Sequence, residues 1–199
     1  MNSYSKQIQQ RIKEAKEGSI FVNSDFTDIA NKETIRKNLN RLAQKGTINR
    51  ILKGVYEKPK FSTIMEEYVA ADPVEVANAI ARSYNWTIIP CGNSALNILG
   101  VSTQVPSSWC FYSDGPYKTY TWDNIKIEFK RRSKRDITDL SYITALVIHA
   151  LKTLGKENTT SETIKTISSK LSSQHKETLL NEGRNSASWI FEAIRQISK

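Results

Sequence analysis

The stretch from Asn31 to Tyr56 limits the possible folds of this 199-residue chain more than any other. Ile35, Leu39 and Leu42 recur at spacings of four and three, the stripe of a helix with one buried side. Asn31 stands before it as an N-cap and Gly46 closes it, which predicts a helix from Lys32 to about Lys45. Ile48-Asn49-Arg50-Ile51-Leu52 and Val55-Tyr56-Glu57 follow at once, two extended runs about Lys53-Gly54, and these predict a hairpin. Upstream, Ile8, Ile12 and Ala15 mark a helix from Ser5 to Lys16 that Gly18 stops. Phe21-Val22 reads as a short extended piece, and Ser24 as the cap of a short helix ending near Ala30.

Three helices followed by a hairpin make a winged helix-turn-helix, whose third helix enters the major groove while the hairpin touches the backbone or minor groove. The charge falls in the same place. Residues 1–60 carry 13 basic and 6 acidic side chains, whereas residues 61–199 carry 16 and 14. A small cationic module attracts polyanions, so double-stranded DNA is the expected partner. Lys32, Thr34, Arg36, Lys37 and Asn40 lie in the first turns of the third helix, where side chains approach base edges. Arg pairs with guanine and Asn with adenine through two hydrogen bonds, each worth about 1–3 kcal/mol of discrimination. Arg41 and Gln44 suit phosphates, as do Arg50 and Lys53 on the hairpin. A winged helix also serves as a protein-interaction module, and that reading stays open here.

After a connector at about residues 58–72, Asp72-Pro73-Val74-Glu75 combines a capping Asp, Pro at the first helical position and Glu three residues on. The predicted helix runs to about Tyr84 and buries Val76, Ala77, Ile80 and Ala81. Residues 86–89 read as a strand and Gly92 to Leu99 as a short helix ended by Gly100. Two strands, 109–113 and 118–122, flank the turn signal Asp114-Gly115-Pro116, and Ile125 to Lys130 alternates with a period of two. From Leu140 onward the pattern is helical, through Ile143, Leu146, Val147, Ala150, Leu151 and Leu154, then Ile164, Ile167 and Leu171, then Trp189 to Ile197. The expected fold is therefore α+β: a winged helix-turn-helix over residues 1–60, then a domain over residues 70–199 with a small antiparallel sheet and C-terminal helices.

Lys130-Arg131-Arg132-Ser133-Lys134-Arg135 holds five basic residues in six, either a solvated loop after a strand or a second DNA contact. Asp114 followed by Glu128-x-Lys130 matches the order that two-carboxylate nucleases use to hold Mg²⁺, so a metal-dependent nuclease with a winged-helix targeting domain is the competing function. Asp114 is equally explained by the hairpin turn in which it is expected to sit, and Glu128 and Lys130 by the wet face of a strand. His149 sits in an apolar helical run and reads as packed; His175 lies in a polar segment. Ser94, Ser102 and Thr103 have no adjacent His and acid for nucleophilic catalysis, and Ser102-Thr103-Gln104-Val105-Pro106 reads either as a recognition loop or as a buried connector. Two cysteines and two distant histidines give no zinc spacing, so neither metal nor cofactor is expected. The run Ile143 to Leu151 is far shorter than the roughly 20 residues that span a bilayer, and the first 16 residues lack the apolar core of a secretory signal. The expected location is cytoplasmic, without a membrane partner.

Arg36-Lys37-Asn38-Leu39-Asn40-Arg41-Leu42-Ala43-Gln44-Lys45-Gly46, with Asn49-Arg50-Ile51-Leu52-Lys53-Gly54-Val55-Tyr56, resembles the AbiEi-type antitoxins of type IV toxin–antitoxin systems. The likeness continues through Ile89-Pro90-Cys91-Gly92-Asn93-Ser94-Ala95-Leu96-Asn97-Ile98-Leu99-Gly100-Val101-Ser102-Thr103-Gln104-Val105-Pro106 and ends in Ser188-Trp189-Ile190. The resemblance implies an N-terminal domain that binds operator DNA and represses its own operon. It also implies a C-terminal domain that relieves the toxicity of a neighbouring nucleotidyltransferase-like toxin without stable contact between the two, and no catalytic residues of its own.

Overall fold

The computed structural model describes residues 3–133 and 139–199, so Lys134 and Arg135 of the basic run lie outside the described residues. It shows a mixed helical and sheet protein compatible with the α+β expectation. The chain divides into two compact units, 1–86 and 87–199.

In the first unit, helix α1 (Ser3–Glu14) buries Ile8 and Ile12, and strand β1 (Ile20–Val22) follows. The next turn is a 3-10 helix over Asn23–Phe26, begun two residues earlier than a Ser24 cap would allow. Asp25 does the capping, accepting the Val22 N–H at 2.9 Å. Helix α2 (Lys32–Gln44) starts as expected, with the Asn31 side chain accepting the Thr34 N–H at 2.9 Å. Its end is a Schellman turn: Gly46, at φ +70°, donates to the Ala43 carbonyl, and Thr47 reaches back to Leu42. Strands β2 (Asn49–Leu52) and β3 (Val55–Glu57) form the hairpin, and β1 pairs with the other side of β3 to complete a three-stranded antiparallel sheet. Ile8, Ile12, Phe26, Ile35, Leu39, Ile48 and Tyr56 close one core beneath it.

The connector is itself structured. Strands β4 (Lys60–Ser62) and β5 (Glu67–Val69) pair across it, with Phe61 edge-on to Tyr68 at 5.3 Å. Helix α3 (Pro73–Tyr84) has the cap read from the sequence, Asp72 accepting from the Val74 N–H at 2.8 Å, and ends at a left-handed Asn85. Its place differs from the expected domain boundary between residues 60 and 70. It packs on β1, and Arg82 holds Asp25 at 2.7 Å, so these contacts bind α3 to the first unit.

The second unit holds a four-stranded sheet of β6 (Ile88–Pro90), β7 (Trp109–Ser113), β8 (Lys118–Trp122) and β9 (Ile125–Arg131) in the order β6-β7-β9-β8. Two pairings are antiparallel, but β7 and β9 run parallel, so the sheet is mixed and not the antiparallel one expected. Asp114-Gly115-Pro116 therefore turns the chain without making a hairpin, because β9 lies between the strands on either side. Helices α4 (Asn93–Ile98), α5 (Tyr142–Leu154), α6 (Ser161–Ser169), α7 (Ser173–Glu182) and α8 (Ser188–Ile197) share a second core of Leu96, Leu146, Leu151, Ile167, Leu179, Ile190 and Ile194. The sequence pattern passed over α7, which buries only Leu179 and holds His175 in its first turn, where the His175 N–H donates to Ser172.

Candidate functional site

Two surfaces gather chemistry-bearing side chains, one in each unit. The first is α2 with the β2–β3 hairpin. The stripe of Ile35, Leu39 and Leu42 faces the core, which turns Lys32, Arg36, Lys37 and Gln44 to solvent, with Thr34 half-buried. Arg50 and Lys53 are exposed on the hairpin. The two elements meet at Tyr56, only 2% exposed, whose hydroxyl donates to Asn40 Oδ1 at 2.6 Å. Burial pushes the Tyr56 phenol above its ordinary range, and the positive charges of Arg50 and Arg36 oppose that rise, so both guanidiniums act on this junction.

Three of the expected DNA-contacting side chains have partners inside the protein. Asn40 uses its carbonyl for Tyr56, which engages the acceptor half of the two-pronged pairing with adenine and makes Asn40 a tie between helix and hairpin. Arg41 donates to the buried Ser5 hydroxyl of α1 and to Asn38 Oδ1, which fixes α2 on α1. Lys37 pairs with Glu33 at 2.8 Å one turn away, a surface bridge of small energy that leaves the ammonium exposed. Among the described residues, Lys32, Arg36, Arg50 and Lys53 make no ion pair, so each can meet an anion without giving up an internal partner.

The second surface was not legible as a site. A cleft of about 410 Å³ is lined by Cys91, Gly92, Tyr112, Arg132, His149, Lys152 and Thr153, and Ile89, Asp139 and Leu140 border its neighbouring lobe. Strand alternation builds one wall. Lys130, and Arg132 one residue past the end of β9, fall on one side and Arg131 on the other, so these three cations do not form a single block. The Arg132 guanidinium stacks over the Tyr112 ring at 4.4 Å, and His149 of α5 meets that ring edge-on at 5.0 Å. His149 and Lys152, three residues apart on α5, share a helix face, the one local signal that points here.

Burial, with the charges of Lys152 and Arg132 adding to it, pulls the His149 imidazole down from 6.5 to about 4. The neutral ring suits its packed place, as the sequence suggested. Because the folded value is depressed, the unfolded chain binds a proton more tightly, and stability present above pH 6.5 is lost as the pH falls toward 4. The expected loss is on the order of 1–2 kcal/mol, reduced by the solvent-facing edge of the ring. Urea titrations at pH 7 and pH 4.5 on the wild type and His149→Gln check this, the variant showing a smaller difference.

Cys91 in the cleft wall has its sulfur next to that of Cys110, 2.6 Å away. A hydrogen bond from Cys91 and the charge of Lys130 draw the Cys110 thiol down to about 7, while Cys91 is pushed upward. Cys110 in turn holds the Lys130 ammonium above its ordinary range. Buried Ser94 accepts the Cys110 N–H at 2.7 Å and has a structural part.

The carboxylates of the nuclease reading do not meet. Asp114 accepts the Thr87 N–H at 2.8 Å. Glu128 stands level with Cys110 in the β7–β9 register, four residues back along β7, which is about 13 Å from Asp114. Lys126 pairs with Glu128 at 2.5 Å, and among the described residues no three metal-ligating side chains converge. The segment Ser102 to Pro106 is no buried connector: Thr103, Gln104 and Val105 are exposed, and Asn97 Nδ2 donates to the Ser102 and Gln104 carbonyls. No helix among the described residues is long and apolar enough to cross a membrane.

The crystal structure of the RV2827C protein from Mycobacterium tuberculosis is similar over 100% of this chain and 77% of that one, at 11% identity and a TM-score of 0.43. No curated protein matches. A family model described as a family of unknown function, DUF6088, matches residues 7–179, from within α1 to within α7 and so across both the cationic helix and the cleft. On that extent of agreement, the chain belongs to the DUF6088 family.

Proposed function

We propose that the first unit binds double-stranded DNA as a winged helix-turn-helix, and that the protein is the antitoxin and autorepressor of a type IV toxin–antitoxin pair. The observation that carries the reading is the set of exposed cations Lys32, Arg36 and Lys37 on α2 and Arg50 and Lys53 on the hairpin that Tyr56 ties to it. Lys32, Thr34, Arg36 and Lys37 face the bases, Gln44, Arg50 and Lys53 the phosphates, and Asn40 and Arg41 hold the helix in its place. The second unit relieves the toxicity of a nucleotidyltransferase-like protein encoded beside it, as the AbiEi resemblance implies, and the location is cytoplasmic. Arg132 belongs to the cleft and Lys130 stands beside Cys110, so Arg131 on the opposite side of β9 stays the candidate for a second phosphate contact.

The test is binding to inverted repeats upstream of the gene, set against a random duplex of equal length. Arg36→Ala is expected to lose about 1–3 kcal/mol on the operator and much less on random DNA. Equal loss on both removes base reading from Arg36, and no salt-sensitive affinity for either DNA leaves the protein-interaction module as the better account. Growth rescue on co-expression with the adjacent gene tests the antitoxin part separately.

A further inference from the structure

We propose that Cys91 and Cys110 form a reversible thiol–disulfide site, in which Cys110 attacks a small-molecule disulfide and Cys91 resolves the mixed disulfide. Sheet pairing brings them together. The antiparallel register of β6 and β7 sets Pro90 opposite Phe111, and the next pair along is Cys91 and Cys110, joined by a 3.0 Å bond from the Cys91 N–H to the Cys110 carbonyl. Directly opposed residues on antiparallel strands have Cα atoms about 4.5–5.5 Å apart and side chains on one face. A disulfide takes Cα separations of about 4.4–6.8 Å. The two sulfurs face each other across this pair, so the bond closes without backbone movement.

The two thiols have different environments, and that difference assigns their roles. Cys91 is 3% exposed, whereas Cys110 is partly open on the sheet face beside the Lys130 ammonium. A nearby cation favours the thiolate, the nucleophilic form. Lys130 and Arg132 on that face suit a disulfide bearing carboxylates, such as oxidised glutathione; Glu128, level with Cys110, is held by Lys126.

The steps balance. The Cys110 thiolate attacks one sulfur of RS–SR; the S–S bond breaks, a mixed disulfide forms, and RS⁻ leaves to take up a proton. Cys91 then gives up its proton and attacks the Cys110 sulfur, releasing the second RSH. The protein pair is oxidised by two electrons, and the small disulfide is reduced to two thiols. In a reducing compartment such a bond is transient, which is the usual setting for redox-responsive cysteines. The closed bond would tie the residue before Gly92, where the chain turns into α4, to β7.

The full-length reduced protein is incubated with oxidised glutathione, quenched in acid, alkylated, and weighed intact without reductant. The wild type should lose two hydrogen atoms, protect both thiols and revert with dithiothreitol. Cys91→Ser should hold one glutathione on Cys110, and Cys110→Ser should react about tenfold more slowly. Peptide mapping of the wild type finds the Cys91–Cys110 link without relying on any variant. Both thiols still alkylatable after exposure, a stable glutathione adduct on the wild type, or a cross-linked dimer in place of the internal bond would each overturn the proposal. None of these readouts depends on DNA binding.

Discussion

Replacing Arg50 and Lys53 together by alanine should weaken binding to any duplex by about sixtyfold at 0.1 M salt. Each phosphate contact that is lost removes about 0.9 from the slope of log K against log salt, so two contacts remove about 1.8. Extrapolated from 1 M to 0.1 M salt, each contact is worth nearly a factor of ten. The loss should be the same on operator and on random DNA, because phosphates carry no sequence, and this separates it from the Arg36→Ala result. Both side chains are exposed on the β2–β3 hairpin and neither makes an ion pair among the described residues, so the fold itself should be unaffected. Anisotropy titrations between 50 and 200 mM salt measure the slope. An unchanged slope would take the hairpin out of the interface.

The second large effect concerns stability. Phe111→Ala should cost about 3–5 kcal/mol, the usual range for emptying a buried aromatic site. Phe111 is 0% exposed on β7, and its register partner Phe129 is 1% exposed on β9, with ring centroids 5.9 Å apart. The cavity would open at the β7–β9 pairing, where the two halves of the sheet join, so relaxation of the surroundings has little room. Urea denaturation followed by tryptophan fluorescence reads the change directly, since Trp109 and Trp122 sit on β7 and β8. A loss below 1 kcal/mol would show that the site collapses around the smaller side chain.

What could be read from the sequence was what neighbouring residues decide among themselves. The Asn31 cap, the Ile35–Leu39–Leu42 stripe, the Gly46 turn and the Lys53-Gly54 hairpin were all legible, because each depends on residues within a few positions. So was the Asp72-Pro73 start of α3. What α3 packs against was not, since Arg82 reaches Asp25 across 57 positions. The Asp114-Gly115-Pro116 signal marked a true turn and suggested a false pairing, because β9 enters between the two strands from further along the chain. β4 and β5 pair through short, largely exposed runs with no alternation to reveal them, and α7 buries too little to show a helical period. At the candidate sites, the exposed cations of α2 followed from its stripe, but Asn40 and Arg41 found partners that no local spacing announces. The cleft depends wholly on strand pairing. Cys91, Tyr112, Arg132 and His149 are scattered along 59 residues and become neighbours only once the sheet order is known.

That sheet order also governs how the chain must be made. β8 and β9 are joined by a tight turn and pair locally, so they form early; β7 gains its parallel partner only when that hairpin docks as a finished piece. During synthesis from the N-terminus, the β7 edge that carries Phe111 has no strand to cover it until residues up to Arg131 have left the ribosome. An unpaired edge with apolar side chains is a template for pairing with other chains. Between the emergence of Ser113 and that of Arg131 this edge has no strand of its own chain to pair with, and slowing translation across those codons is expected to lower the soluble yield.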